Sequence, residues 1–189
     1  MPKVKLNGEW IDFGVSSVNH VWPDDKGNVD ISGAFPKVYS FDFEPASAVN
    51  GDIWINKNKC LKFIAEEANS TLQVSVVGSV NGRLQYSLND GLTWHDFGDT
   101  VVTLANPNDY VLVKGNGGAI SNGPNSYTKF VMTGQMSVIG KISNLAPMGD
   151  YCYYKLFDGC TSLTEAPELP ATELAENCYE RMFHDCTSL

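Results

Sequence analysis

Residues 152–163, CYYKLFDGCTSL, and residues 178–189, CYERMFHDCTSL, are two copies of one phrase. They stand 26 residues apart and share seven of twelve positions, with Lys155/Arg181 and Leu156/Met182 conservative besides. A period in the twenties with paired Leu, Phe and Cys is the signature of a solenoid, in which one unit cannot bury its apolar face until a neighbour stacks on it. The residues expected to build that shared core are Leu156, Phe157, Cys160, Leu163, Leu174, Cys178, Met182, Phe183, Cys186 and Leu189. Leu174, Cys178 and Met182 fall at i, i+4 and i+8, which predicts a short helix over about 172–183 with one apolar stripe and with Glu173, Glu176 and Glu180 outside. Pro167 and Pro170 exclude a continuous helix between the copies and prescribe an extended run that feeds the helix start. Cys186-Thr187-Ser188-Leu189 then opens a further extended segment. The array is therefore expected to continue or to be capped by a partner, because a raw apolar solenoid end aggregates.

Upstream the period changes from four to two. Leu72, Val74 and Val76 alternate with Thr71, Gln73 and Ser75, and Leu84, Tyr86 and Leu88 alternate with Gln85 and Ser87, with Asn81-Gly82 read as the turn that joins them. Further strand candidates are 101–104, 110–114, 130–133 and 136–142, an arithmetic of about seven strands in about 85 residues that suits an immunoglobulin-like antiparallel sandwich. Lys114-Gly115-Asn116-Gly117-Gly118 has Ile120 where the third glycine of a phosphate-binding loop belongs, and Pro124 follows, so it reads as a flexible loop. Near the N-terminus, 4–6 and 10–13 flank Asn7-Gly8, the dipeptide best suited to a two-residue hairpin, and 18–22 and 29–31 flank a Pro- and Gly-bearing turn. So few residues enclose no core of their own, and Trp10, Phe13, Val18, Trp22, Val29 and Ile31 are assigned to assembly with other chains. The expected organisation is an attachment segment over 1–35, a connector over 36–60, the sandwich over 61–146 and the repeats over 147–189. The fold class is mainly β.

The formal charge of -9, from 13 Lys+Arg against 22 Asp+Glu, speaks against a nucleic-acid partner, since such binding rests on clustered cations. No run of eighteen apolar residues predicts a membrane span, and the first residues, MPKVKLNGEWIDF, lack the apolar core of a signal peptide. Asp24, Asp25, Asn28 and Asp30 do not have the spacing of a calcium loop. Five cysteines without a C-x-x-C pair offer no zinc or redox motif; they are expected as buried thiols, with disulfides between repeats as the alternative. His20, His95 and His184 stand apart and outside any hydrolase or metalloprotease signature. The expectation is a protein that is not an enzyme and uses no cofactor and no metal.

Three stretches resemble known families. SVNHVWPDDKGNVDI, residues 17–31, is similar to a segment of phage tail and head fibre proteins, with His20 where that family has Gly; this resemblance implies an intertwined trimer. Ser87 to Trp94, SLNDGLTW, resembles the Asp-box hairpin of sialidase propellers, a folding device that touches no substrate and occurs here once. LFDGCTSLTEAPELPATELAENCYERMFHDCTSL closely resembles the BspA-like leucine-rich repeats of gut-bacterial surface proteins and their phages, with Asp185 in place of the usual Gly. Together these imply a structural, adhesive protein of a phage virion: a homotrimeric fibre bound to other virion proteins of capsid or tail through its N-terminus. The leucine-rich repeats would face a host-surface glycan or protein. The alternative is a secreted bacterial cell-surface adhesin. Tyr151, Tyr153, Tyr154 and Tyr179 are candidates for stacking on sugars, against the plainer role of packing.

Overall fold

The computed structural model describes residues 60–189 in full, and before them the backbone of four strands: β1 (Lys3–Leu6), β2 (Glu9–Asp12), β3 (Val38–Phe41) and β4 (Ile53–Asn56). Two compact units are distinguished, one of Met1–Lys57 with Asn89–Thr93 and one of Asn58–Leu88 with Trp94–Leu189. No α-helix occurs among the described residues, and the chain is mainly β.

In the first unit β1 and β2 pair antiparallel with Leu6 opposite Glu9, while Asn7-Gly8, read as their turn, lies outside the described residues. The sheet order is β2-β1-β4-β3, with β4 antiparallel to β1 and parallel to β3. The stretch expected as a connector thus contributes two of the four strands. Trp10 lies on β2; Phe13, Val18, Trp22, Val29 and Ile31, the second hairpin and the fibre-like segment lie outside the described residues.

The second unit holds two sheets. One runs β14-β13-β5-β10-β7-β8, from β14 (Leu163–Glu165), β13 (Met136–Ile139), β5 (Leu61–Ala65), β10 (Tyr110–Gly115) and β7 (Leu84–Ser87) to β8 (His95–Asp96). The other runs β11-β12-β6-β9, from β11 (Ser121–Gly123), β12 (Ser126–Thr133) and β6 (Ser70–Val77) to β9 (Val102–Leu104). Period-2 alternation decides which side chains turn inward. Leu61, Phe63 and Ala65 on β5 and Leu72 and Val74 on β6 are buried, while the residues between them are only half covered. The two inner faces meet where the Phe63 ring packs 4.8 Å from that of Phe130 on β12. Val111, Leu112 and Val113 form an unbroken buried run on β10, as a strand in the middle of a sheet requires.

Two loop expectations are corrected. Asn81-Gly82 is no hairpin turn: β6 and β7 belong to different sheets, and the chain crosses between them there. The Gly82 N–H donates to the Ala119 carbonyl at 2.7 Å, and a Cβ on Gly82 would stand 2.4 Å from the Gly118 oxygen. The glycine-rich segment after Lys114 is likewise tied down. Asn116 Oδ1 accepts from the N–H groups of Arg83 at 3.0 Å and Gly118 at 3.1 Å, and Gly115 lies so close to the Leu145 carbonyl that no side chain fits. In the Asp-box-like turn the tie is the amide side chain of Asn89 rather than an acidic one. Its Oδ1 accepts from the Thr93 N–H at 3.0 Å, and Asp90 and Gly91 take φ of 59° and 82°.

Candidate binding surface of the repeat

The two copies of the phrase stack on one another, but neither forms a helix. Residues 149–160, coil 1, and residues 175–186, coil 2, are each a run of overlapping turns in which the N–H of every second residue reaches the carbonyl three residues back. In coil 1 the donors are Cys152, Tyr154, Leu156, Asp158 and Cys160; in coil 2 they are Cys178, Glu180, Met182, His184 and Cys186. The intervening N–H groups point out of the coil. Tyr151, Tyr153, Lys155, Phe157 and Gly159 donate to the carbonyls of Glu176, Cys178, Glu180, Met182 and His184 at 2.8–3.1 Å. Every fourth residue has positive φ: Tyr151 (56°), Lys155 (54°) and Gly159 (78°) in coil 1, and Asn177 (52°), Arg181 (55°) and Asp185 (59°) in coil 2.

This corrects the helix expected over 172–183. An apolar spacing of four suits this coil as well as a helix, and the left-handed residues break α geometry at each step. Left-handed φ costs an L-residue about 1–2 kcal/mol, whereas each inter-coil hydrogen bond returns about 1 kcal/mol and each ring pair about 0.5–1.5 kcal/mol. The trade closes only because coils lie side by side. An isolated α-helix would spend all its N–H groups on itself; here half of them are kept for a neighbour.

Side chains repeat the register of the backbone. Tyr153 stacks on Tyr179 at 5.6 Å and Phe157 on Phe183 at 5.4 Å, each pair 26 residues apart in the chain and nearly parallel at 16° and 17°. Asp158 and His184, also aligned positions, meet at 2.9 Å, and Asp185 and Arg181 flank the same imidazole. Coil 1 rests on the two sheets through Phe130 of β12 and Phe63 of β5. Phe130 donates its N–H to the Leu156 carbonyl, Cys160 Sγ donates to the Phe130 carbonyl, and the Phe157 ring packs against Phe63 and Phe130. After coil 1 the chain enters β14, parallel to β13, and continues to a bridge between Lys141 and Glu168, so the predicted extended run before coil 2 is present.

Of the residues assigned to the repeat core, Leu156, Phe157, Cys160, Leu163, Cys178 and Met182 are buried, and Phe183 and Cys186 are half-buried against them. Leu174 and Leu189 are not core: they are 65% and 52% exposed. Leu174 was placed by a helical stripe, and without the helix it precedes the first turn of coil 2. Leu189 repeats Leu163, which is covered because β14 joins a sheet, and it has no such cover among the described residues. Glu173, Glu176 and Glu180 do face outward.

The tyrosines divide. Tyr153 and Tyr154 are buried, and Tyr153 donates its hydroxyl to the Ala146 carbonyl at 2.6 Å, so both serve packing. Tyr151 stays half-exposed and stands edge-on to Tyr154, which meets Tyr127 of β12 in the same way, and the Lys155 ammonium lies over the Tyr154 and Tyr127 rings. Tyr179 has a half-exposed ring, yet its hydroxyl is buried without a partner among the described residues. No disulfide joins the described cysteines. Burial pushes the Cys160 thiol up to about 12, with the neighbouring Cys186 acting in the same direction, and burial also raises Cys152 and Cys186. Such thiols are held neutral, as packing groups rather than nucleophiles. His95 and Asp96 lie exposed on β8, where His95 packs on Tyr86 and Asp96 accepts from Gln85, while His184 belongs to coil 2. Among the described residues no cluster of His, Cys, Asp and Glu has the arrangement of a metal site. No family model matches the chain, and no curated protein or solved structure shows significant similarity to it.

Proposed function

We propose that the protein is a structural and adhesive component of a phage virion: a trimeric fibre mounted on other virion proteins through its N-terminal segment, with its repeats turned toward a host-surface glycan or protein. The observation that carries the adhesive half is the in-register stack of two repeat coils against the two sheets, which we read as the start of a leucine-rich array on an immunoglobulin-like sandwich. Such a stack is rigid, regular and able to present the same side-chain positions at successive levels. Support for the virion half comes from residues 17–31, VNHVWPDDKGNVDI with its preceding serine, through their resemblance to fibre proteins. The close likeness of the repeat to BspA-like surface proteins favours a second reading, a bacterial cell-surface adhesin. On either reading the work is attachment rather than catalysis.

Light scattering of the purified chain separates the two. The fibre reading expects a particle of three times 20.7 kDa at micromolar concentration, and a clean monomer overturns it. Gold labelling through this chain on intact virions would then place it.

A further inference from the structure

The geometry points to a saccharide subsite where β12 meets coil 1: Tyr127, Tyr151 and Lys155, with Tyr154 beneath them as a floor, form a site for a sugar that bears a carboxylate. This rests on the attachment reading above and names the class of ligand, a uronic or sialic acid unit rather than a neutral sugar. Tyr127 and Lys155 enter through the fold alone, since β12 and coil 1 are distant in the chain and adjacent in space.

Three observations carry it. The first is the choice of residue at position 151. The coil takes left-handed φ there, 56° in Tyr151, and coil 2 fills the aligned place with Asn177, a residue type that accepts this conformation readily. A bulky ring is a poor occupant of such a backbone, and burial does not explain it, because Tyr151 is half-exposed where Tyr153 and Tyr154 are buried. The second is that the rings are fixed in advance. Tyr154 stands edge-on to Tyr127 at 5.4 Å and to Tyr151 at 5.8 Å, so one buried ring orients two half-exposed ones. Tyr151 also lies beside the bare backbone of Gly123 on β11, its Cδ2 4.0 Å from where a Cβ would stand. Rings held in place lose little freedom when a sugar stacks on them. The third observation is Lys155, whose ammonium sits 5.5 Å from the Tyr127 centroid and 5.4 Å from that of Tyr154. The ion pairs of the described residues gather on His184, and Lys155 takes part in none, in a chain with 22 Asp+Glu.

These features select the ligand together. A pyranose offers its C–H face to a tyrosine ring, and a carboxylate on it meets the ammonium in a charge-assisted hydrogen bond. A neutral sugar would use the rings and leave the lysine unmatched; an acidic peptide would use the lysine and leave the rings.

The test titrates the full chain by calorimetry with tetragalacturonate and with sialyllactose, each beside its methyl ester, which keeps the sugar and removes the charge. At least one acid should bind, more weakly as salt is raised, and its methyl ester should bind about tenfold more weakly or worse. Tyr151→Asn and Lys155→Gln should each weaken the acid by about tenfold or more. Tyr151→Asn should also hold or raise the melting midpoint, because it places in coil 1 the residue that coil 2 already carries, and this separates a lost site from a lost fold. A parent that binds neither acid overturns the inference, and so does an ester that binds as well as its acid. A Tyr151→Asn variant that melts lower and binds as before overturns it by making the ring a packing group. Equal displacement by tetraglutamate does the same, since charge alone would then be read. Failure of both acids with attachment to host cells intact would remove this site and leave the attachment reading, while a monomer in light scattering would remove the fibre reading and leave the site.

Discussion

Gly159 and Asp185 occupy the same place in the two coils, both with left-handed φ, and a Cβ on Gly159 would meet nothing within 4 Å. Its substitution therefore isolates backbone strain from crowding. Gly159→Ala should destabilise the protein by about 1–2 kcal/mol, and Asp185→Gly should change stability by less than about 1 kcal/mol, both measured by urea unfolding. An equal loss from both would mean that side-chain contacts, not φ, dominate. Cys160 supplies a pH test. Its thiol, raised by burial to about 12 in the folded chain, ionises near 8.5 when unfolded, so the folded state holds the proton more tightly. Its contribution to stability is complete below about pH 8.5 and declines as pH rises toward 12. Thermal unfolding across that window should show a falling midpoint, and Cys160→Ala should flatten the part of the slope that this thiol supplies. The identity of such residues was legible in the sequence, since Cys, Phe and Leu recur at matching positions. Their conformation was not, because Lys155 and Arg181 announce no left-handed backbone, and only Asn177, Gly159 and Asp185 are residue types that favour it.

For an element, the informative comparison is between aligned tyrosines. Tyr153 satisfies its hydroxyl on the Ala146 carbonyl, whereas the Tyr179 hydroxyl is buried without a partner among the described residues. Tyr153→Phe should cost about 1–2 kcal/mol by leaving a buried carbonyl unmet, and Tyr179→Phe should be neutral or stabilise by up to about 1 kcal/mol, read from denaturant midpoints. A large loss at Tyr179 would show that its hydroxyl is in fact bonded. Strands were the readable elements: the alternation over 71–76 reappears in β6 except that Val76 is exposed, the run 130–133 lies within the longer β12, and β1 pairs with β2. What failed was the step from periodicity to element type in 172–183, where a spacing of four fits two backbones. The local signal also failed to say which sheet receives a strand, as at Asn81-Gly82, because β7 is chosen by β10, a strand 23 residues beyond its own end.

Across the second unit, Phe63, Phe130 and Phe157 come from one sheet, the other sheet and coil 1, and each ring touches the other two. The coils and the two sheets should therefore unfold together. Phe157→Ala is expected to cost about 3–5 kcal/mol and to lower one shared transition rather than split off a separate one, checked by following near-ultraviolet circular dichroism and Cys60 thiol reactivity in the same melt. Two separate transitions would mean that the coils fold apart from the sheets. This joining of 61–146 with 147–189 through distant aromatic contacts was invisible in the sequence, where Phe63 and Phe157 stand 94 positions apart.

The alternation of local and outward hydrogen bonds gives each coil something like a reading frame. Inserting one residue between Tyr151 and Gly159 would exchange inward and outward amides downstream, and inserting two would restore that parity but move the left-handed positions onto the wrong residues. Only a change of four keeps both. Variation in the length of such repeats is thus confined to steps of four within a coil, or displaced into residues 169–174, after the Glu168 bridge, where no backbone hydrogen bond among the described residues sets a register.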